Sequence, residues 1–329
     1  MCDGPAVRGG RGVLAAALVI LGFLGLASGC GAPQPAAAPA PPPDVARILG
    51  SRQVQGRAWD LTVYSPALGK AVNVRLLLPV RYDAAPDRRW PLLYLLHGCC
   101  DDYLSWTRST DIETLSRDAD LLVVMPEGGG AGFYSDWLSG PRWETFHTEE
   151  LPALLAAGYR AGDRQAVAGV SMGGLGALGY AARHRGRFSA AASISGIVHT
   201  RLSEAVTQNY RGLVRQETGA DPDALWGNPV TDAANWARHN PYDLAPDLRG
   251  TRVFLAAGDG KPGPLDAAGA TTDAIEVSIG AQNRAFAQHL QAVGTAATVD
   301  LYGAGTHNWV YWQRELHRAW PLLTADLLR

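Results

Sequence analysis

Lysine is nearly missing from this chain: of 329 residues only Lys70 and Lys261 carry an ammonium group, against 27 arginines, and the formal net charge is −2. So even a charge balance leaves no basic footprint for a phosphate backbone, which argues against a nucleic-acid partner. Cysteine is scarce too, with Cys2, Cys30, Cys99 and Cys100 the whole complement. No CxxC pair, no HExxH and no clustered His/Asp motif occurs among the eight histidines, so neither a metal ion nor another cofactor is expected. Long apolar runs are limited to Val13–Ser28. A bilayer core of about 30 Å takes roughly 20 helical residues, so that run is short for a membrane span. No internal repeat is visible, and stacked-repeat architectures drop out.

What is present starts at the N-terminus. Arg8 and Arg11 precede the apolar run, the pattern of a secretory signal. Leu26-Ala27-Ser28-Gly29-Cys30 resembles a bacterial lipobox, in which cleavage before the cysteine leaves Cys30 as the lipidated N-terminus. Gly31–Pro43 is a Pro/Ala tract with almost nothing to bury and a polyproline bias, the composition of a spacer. The expected organisation is therefore a lipoprotein-type signal peptide over 1–29, a disordered linker over 30–45, and a globular domain over 46–329. The expected location is outside the cell, at the membrane face or in the envelope, held by the lipid anchor. Within the domain only Cys99 and Cys100 remain. Neighbours in an oxidising setting can form a vicinal disulfide or stay as two thiols, and the sequence leaves both open.

With 47% hydrophobic residues the domain can bury a sizeable core. Apolar runs bounded by turn residues recur at Val72–Val80, Trp90–Leu96, Leu121–Met125, Gln165–Val170, Phe188–Ile194, Arg252–Ala257 and Ala297–Tyr302, with Gln53–Ser65 as an antiparallel edge strand. Helical patterns fall between them at Thr110–Ala119, Glu144–Ala156, Ser171–Arg183, Ile275–Val293 and Tyr311–Leu328. That alternation predicts a mostly parallel sheet of about eight strands covered by helices on both faces. Thr200–Leu248 interrupts it as a polar insert between the sixth and seventh strands, placed either to wall a pocket or as a surface excursion.

Gly169-Val170-Ser171-Met172-Gly173 reads G-x-S-x-G between one of those strands and a small-residue helix. An α/β-hydrolase holds its nucleophile in this way, on a strained turn whose glycines leave room for the hydroxyl to project above the sheet. A serine hydroxyl needs a base, and the base needs an orienting acid; in this fold the chain order is Ser, acid, His. His307, in the loop after the last strand, is the candidate base. Two acids compete: Asp259, directly after the seventh strand, and Glu276, at the start of the following helix, with spacing alone slightly favouring Asp259. The oxyanion hole needs two backbone N–H groups, and Met172 and Cys99 are the candidates, Cys99 following the His97-Gly98 pair that ends a strand.

Further segments resemble a particular family. Tyr94-Leu95-Leu96 with Asp101-Asp102-Tyr103, Met125–Gly129 with Phe133–Trp137, Trp143–Phe146 with Glu150-Leu151-Pro152, Trp226-Gly227, Gly258–Pro262 and Gly305–Trp312 are similar to the antigen 85 mycolyltransferases and the related esterase D-like group of the α/β-hydrolase fold. The likeness runs from about Leu93 to Leu323. It implies a serine acyltransferase that takes an acyl chain onto Ser171 and passes it to a sugar or lipid hydroxyl. It also moves the preferred acid from Asp259 to Glu276, since the family's glutamate opens the helix after that strand. Trp309 matches a tryptophan near the family's sugar site, and His97 is grouped with it as a substrate-side candidate. The chain departs from the family at the oxyanion loop, where His97-Gly98-Cys99-Cys100 replaces an Asp-Gly-Leu-Arg pattern and the acidic sugar-binding residue and arginine are missing. Trehalose as acceptor is thereby in question, and a plain carboxylesterase for small or aryl esters is the alternative. A non-catalytic wall- or matrix-binding relative is the third reading, disfavoured because all three triad positions are filled.

Overall fold

A computed structural model describes residues 44–329. The readings of the signal segment, of Cys30 and of most of the linker lie outside the described residues. Nine strands form one sheet: β1 (Arg47–Gln55), β2 (Ala58–Ser65), β3 (Lys70–Leu77), β4 (Trp90–Leu96), β5 (Leu122–Pro126), β6 (Ala161–Val170), β7 (Phe188–Ile194), β8 (Arg252–Gly258) and β9 (Ala297–Gly303). Their order is β1-β2-β3-β5-β4-β6-β7-β8-β9. The pairs β1–β2, β2–β3 and β3–β5 are antiparallel; from β5 onward every pair is parallel. The count exceeds the expected eight because Gln53–Ser65 is a hairpin, not one strand. Gln55 pairs with Ala58 across Gly56-Arg57, and Gly56 takes φ +51, which a glycine adopts at little cost.

The central strands are apolar on both faces, as a parallel sheet buried between helix layers requires. All seven residues of β4 are buried; Leu92, Tyr94 and Leu96 join one core cluster while Leu93 and Leu95 join the other, the period of two that a strand imposes. The helices are, in chain order, α1 (Ser105–Ser109), α2 (Ile112–Leu115), α3 (Trp143–Thr145), α4 (Leu151–Gly158), α5 (Met172–Arg183), α6 (Glu204–Thr218), α7 (Asp223–Trp226), α8 (Ala233–Arg238), α9 (Ala274–Ala292) and α10 (Trp309–Thr324). The helix expected over Thr110–Ala119 is shortened to α2, because Thr110 is extended (φ −138, ψ 169) and ends α1 ahead of it. The one expected over Glu144–Ala156 runs as α3, a π turn over Phe146–Glu150, and α4. α10 begins two residues sooner than expected, capped by Asn308, whose side chain accepts from the Val310 N–H.

α5 lies almost against the sheet. A Cβ on Gly173 would stand 2.3 Å from the Leu96 carbonyl oxygen, and one on Gly169 would stand 2.0 Å from that of Gly173. Only glycine permits this approach, so the helix propensity lost there is exchanged for contact with β4 and β6. Ser171, between β6 and α5, takes φ 54 and ψ −119, a strained backbone for a residue with a side chain.

Candidate active site

Because β6 to β9 are parallel neighbours, the loops after them converge at one end of the sheet, where an open α/β sheet places its chemistry. Ser171 follows β6, and its Oγ is 3.0 Å from Nε2 of His307, which follows β9. Nδ1 of His307 is 2.7 Å from Oε2 of Glu276, in the first turn of α9. The Glu276 side chain is fully buried, and its second oxygen, Oε1, accepts from the Ser195 hydroxyl at 2.8 Å and the Gly258 N–H at 2.7 Å. A buried carboxylate with donors on both oxygens has its desolvation offset by charge-assisted hydrogen bonds.

Asp273 pins acid and base together. Its Oδ1 caps α9 by accepting from the N–H groups of Ile275 and Glu276, and its Oδ2 accepts from the His307 N–H at 2.9 Å. Asp273-Ala274-Ile275-Glu276 has the spacing of a capping box, yet Glu276 turns to His307 instead of back to the cap. The structure thus brings Ser171, His307 and Glu276 together and leaves Asp259 aside. The Asp259 carboxylate accepts from the Lys261 N–H at 2.9 Å within its own turn, with the Lys261 ammonium 3.7 Å away.

The oxyanion candidates flank the nucleophile. Met172 opens α5, where an N–H has no intrahelical acceptor. Gly98 packs against Ser171, a Cβ on it falling 3.3 Å from the Ser171 Cβ, and Cys99, the next residue, lines the cavity beside the nucleophile. Cys99 and Cys100 form a disulfide between sequence neighbours, and the Cys100 N–H is tied to the Gly130 carbonyl at 2.9 Å. His97 is not on the substrate side, contrary to its grouping with Trp309. It is 1% exposed; Nδ1 lies 2.7 Å from the Gly98 carbonyl oxygen and Nε2 2.8 Å from the Gly128 backbone nitrogen, so the ring braces the loop.

A cavity of about 710 Å³ opens above Ser171. Ile197, Leu213, Ile275, Ile279, Trp309 and Trp312 give it an apolar lining, and Asp101 is the one carboxylate that reaches it among the described residues. One wall is α6, so the insert after β7 forms part of the pocket and is not a surface excursion. Trp309 stands in that lining, edge-on to Trp106 at 5.2 Å and to Trp312 at 4.9 Å, and Trp312 in turn meets the His307 ring edge-on at 4.8 Å. Sequence reasoning missed Ser195 and Asp273. The capping-box spacing ahead of Glu276 was the available signal for Asp273, whereas the sequence marks Ser195 only by a Ser-Gly pair after an apolar run.

Fold and arrangement together define an α/β-hydrolase of the esterase class. The chain belongs to the Esterase family, whose model matches residues 65–323, and to its antigen 85 type. It is 30% identical to the diacylglycerol acyltransferase/mycolyltransferase Ag85B of Mycobacterium avium over a 331-residue alignment covering 95% of this chain and 92% of that one. To Esterase Rv1288 of Mycobacterium tuberculosis it is 34% identical over 257 residues, 75% of this chain but 55% of the relative, so the chain spans about half the length of that esterase. Among solved structures, Mycobacterium tuberculosis MPT51 (FbpC1) superposes with a TM-score of 0.66 at 26% identity, covering 82% of this chain and 96% of that one.

Proposed function

We propose that this protein is a serine esterase or acyltransferase working through an acyl-serine intermediate on acyl esters of sugars or lipids. The observation that carries the reading is the continuous relay from Ser171 through His307 to buried Glu276 at the floor of an apolar cavity. As the Ser171 oxygen bonds to the ester carbonyl carbon, its proton passes to His307 Nε2. Glu276 holds the ring and stabilises the imidazolium, and the Met172 and Cys99 N–H groups take up the oxyanion. The C–O bond to the alcohol then breaks, the alcohol leaving with the proton from His307. An incoming hydroxyl gives its proton to the same nitrogen, attacks the acyl-serine and releases Ser171.

Water and an alcohol acceptor share these steps. The altered oxyanion loop, His97-Gly98-Cys99-Cys100, favours the second reading, a plain carboxylesterase, because an acidic sugar-binding residue and an arginine are missing from it. Wild type and Ser171→Ala, each given p-nitrophenyl esters of graded chain length, test the chemistry. The alanine variant is expected to lose on the order of 10³-fold or more in kcat, and equal rates would end the reading. Trehalose, glucose or diacylglycerol added as acceptor separates transfer from hydrolysis by whether acylated product forms. Export and lipid anchoring at Cys30 belong to the same proposal; a Cys30→Ala variant that stays in the membrane fraction as wild type does would refute the anchor.

A further inference from the structure

The five residues Ser193-Ile194-Ser195-Gly196-Ile197, which end β7 and turn away from it, lie between the helix that carries the nucleophile and the helix that carries the acid. On the nucleophile side, the Ser171 N–H donates to the Ile194 carbonyl and the Ile197 N–H donates to the Ser171 carbonyl, both at 3.1 Å. The strained serine is thereby held from above and below by one turn. On the acid side, the Ser195 hydroxyl donates to Glu276 Oε1 at 2.8 Å, and the Asn283 side chain, two turns further along α9, donates to the Gly196 carbonyl at 2.9 Å. The turn is itself fixed to β8 by the Ser195 N–H, 2.7 Å from the Ala256 carbonyl. It has no slack: a Cβ on Gly196 would stand 1.9 Å from Ser193 Oγ and 3.0 Å from the Gly174 Cα. Ser195 is fully buried and sits at φ 44, where a side chain is disfavoured and glycine is not. A serine kept at such a position brings one thing that glycine lacks, a hydroxyl aimed at the carboxylate.

We infer that Ser195 is a positioning residue for the reaction: its hydroxyl holds the Glu276 carboxylate against His307, and its turn sets the separation between nucleophile and acid. The inference rests on the triad reading above. Without the Ser195 donor, Oε1 keeps only the Gly258 N–H, and the carboxylate is free to rotate away from Nδ1. Such a loss acts on the imidazolium formed in the transition state and not on substrate binding, so kcat falls while KM holds.

The test compares Ser195→Ala and Ser195→Gly with wild type and with Ser171→Ala, on p-nitrophenyl butyrate. Unfolding midpoints are recorded for each, together with the downfield NMR resonance of the His307 Nδ1 proton. Both Ser195 variants are expected to lose about tenfold or more in kcat, keep KM within about twofold, and shift or broaden that resonance. The glycine variant matches the native φ and keeps the test decisive should the alanine variant fail to fold. If the glycine variant works as wild type does, the hydroxyl has no such role and the inference is overturned, whatever the alanine variant does. If Ser171→Ala is itself fully active, the failure belongs to the triad reading instead.

Discussion

Two candidate acids follow β8, Asp259 and Glu276, and what separates them is direction. Asp259 lies in the tight turn directly after the strand, and its oxygen is taken up by the Lys261 N–H two residues on. Glu276 lies one loop and one cap later, with Asp273 bringing the head of α9 to the His307 backbone. Chain order could not tell them apart, because both stand after the same strand and before the histidine. The resemblance to a family pointed to Glu276, and the geometry gives the physical reason. Glu276→Gln is expected to lower kcat by roughly 10²- to 10⁴-fold, as when the orienting carboxylate of such a triad is replaced by an amide. Asp259→Asn should leave kcat within about threefold; steady-state kinetics with both variants decides, and a larger loss in Asp259→Asn would reverse the assignment. Ser171 and His307 were legible because each is announced by its own flanks, a G-x-S-x-G after a strand and a glycine-rich loop after the last strand. Ser195 was not, since its role depends on which strand neighbours β6 in space.

At the scale of elements, the strands that face helices on both sides were legible as continuous apolar runs, whereas the edge hairpin β1–β2 merged into one because both arms carry similar mixed patterns. The insert was legible as an interruption but not as a wall. α6 forms for local reasons: Ser203 caps it by accepting from the Val206 N–H, and Gly219 ends it at φ 69. Thr207 and Val214, seven residues apart and so on one face, are buried, while Gln208, Gly212 and Gln216 form a stripe at four-residue spacing along the cavity. Gly212 has open space around it, with nothing within 4 Å of a built Cβ. A Gly212→Trp variant should therefore fold as wild type does and fill part of the cavity. Its kcat/KM is expected to drop about tenfold or more for long-chain p-nitrophenyl esters and to stay within about threefold for the acetate, since each buried methylene is worth about 0.8 kcal/mol. An unchanged chain-length profile would remove α6 from the acyl-binding wall.

For the whole molecule, buried titratable groups tie stability to pH. Burial pushes His147 down to about 4, its Nε2–H donating to the Glu127 carbonyl and its Nδ1 accepting from the Tyr180 hydroxyl. Burial likewise pushes His239 down to about 4, with Nδ1–H donating to the Asn235 carbonyl and the ring stacked on Trp226. Both are neutral in the fold and bind protons more readily once unfolded, so their contribution is present above 6.5 and lost as pH falls toward 4. Glu315 works in the opposite sense. Burial pushes it up to about 7, so its contribution is present below 4.5 and lost as pH rises through 7. Those two histidines against one glutamate leave about one net proton taken up on unfolding between 4.5 and 6.5, or ~1.4 kcal/mol per pH unit, and His199, also lowered by burial, adds in the same sense. Urea midpoints at pH 7.5, 6.0 and 5.0 are expected to fall in that order, and a flat series would mean that the buried histidines do not govern acid stability.

The loops after β6, β7, β8 and β9 each deliver one part of the proposed machinery, whereas much of the cavity wall comes from a single contiguous stretch between β7 and β8. Chemistry and selectivity are thus inherited separately. On the proposed function, a lineage can replace that one stretch, and with it the shape of the acyl group admitted, while the Ser171–His307–Glu276 relay stays where the sheet holds it. Divergence among such enzymes in what they acylate is then cheap, and divergence in how they do it is not.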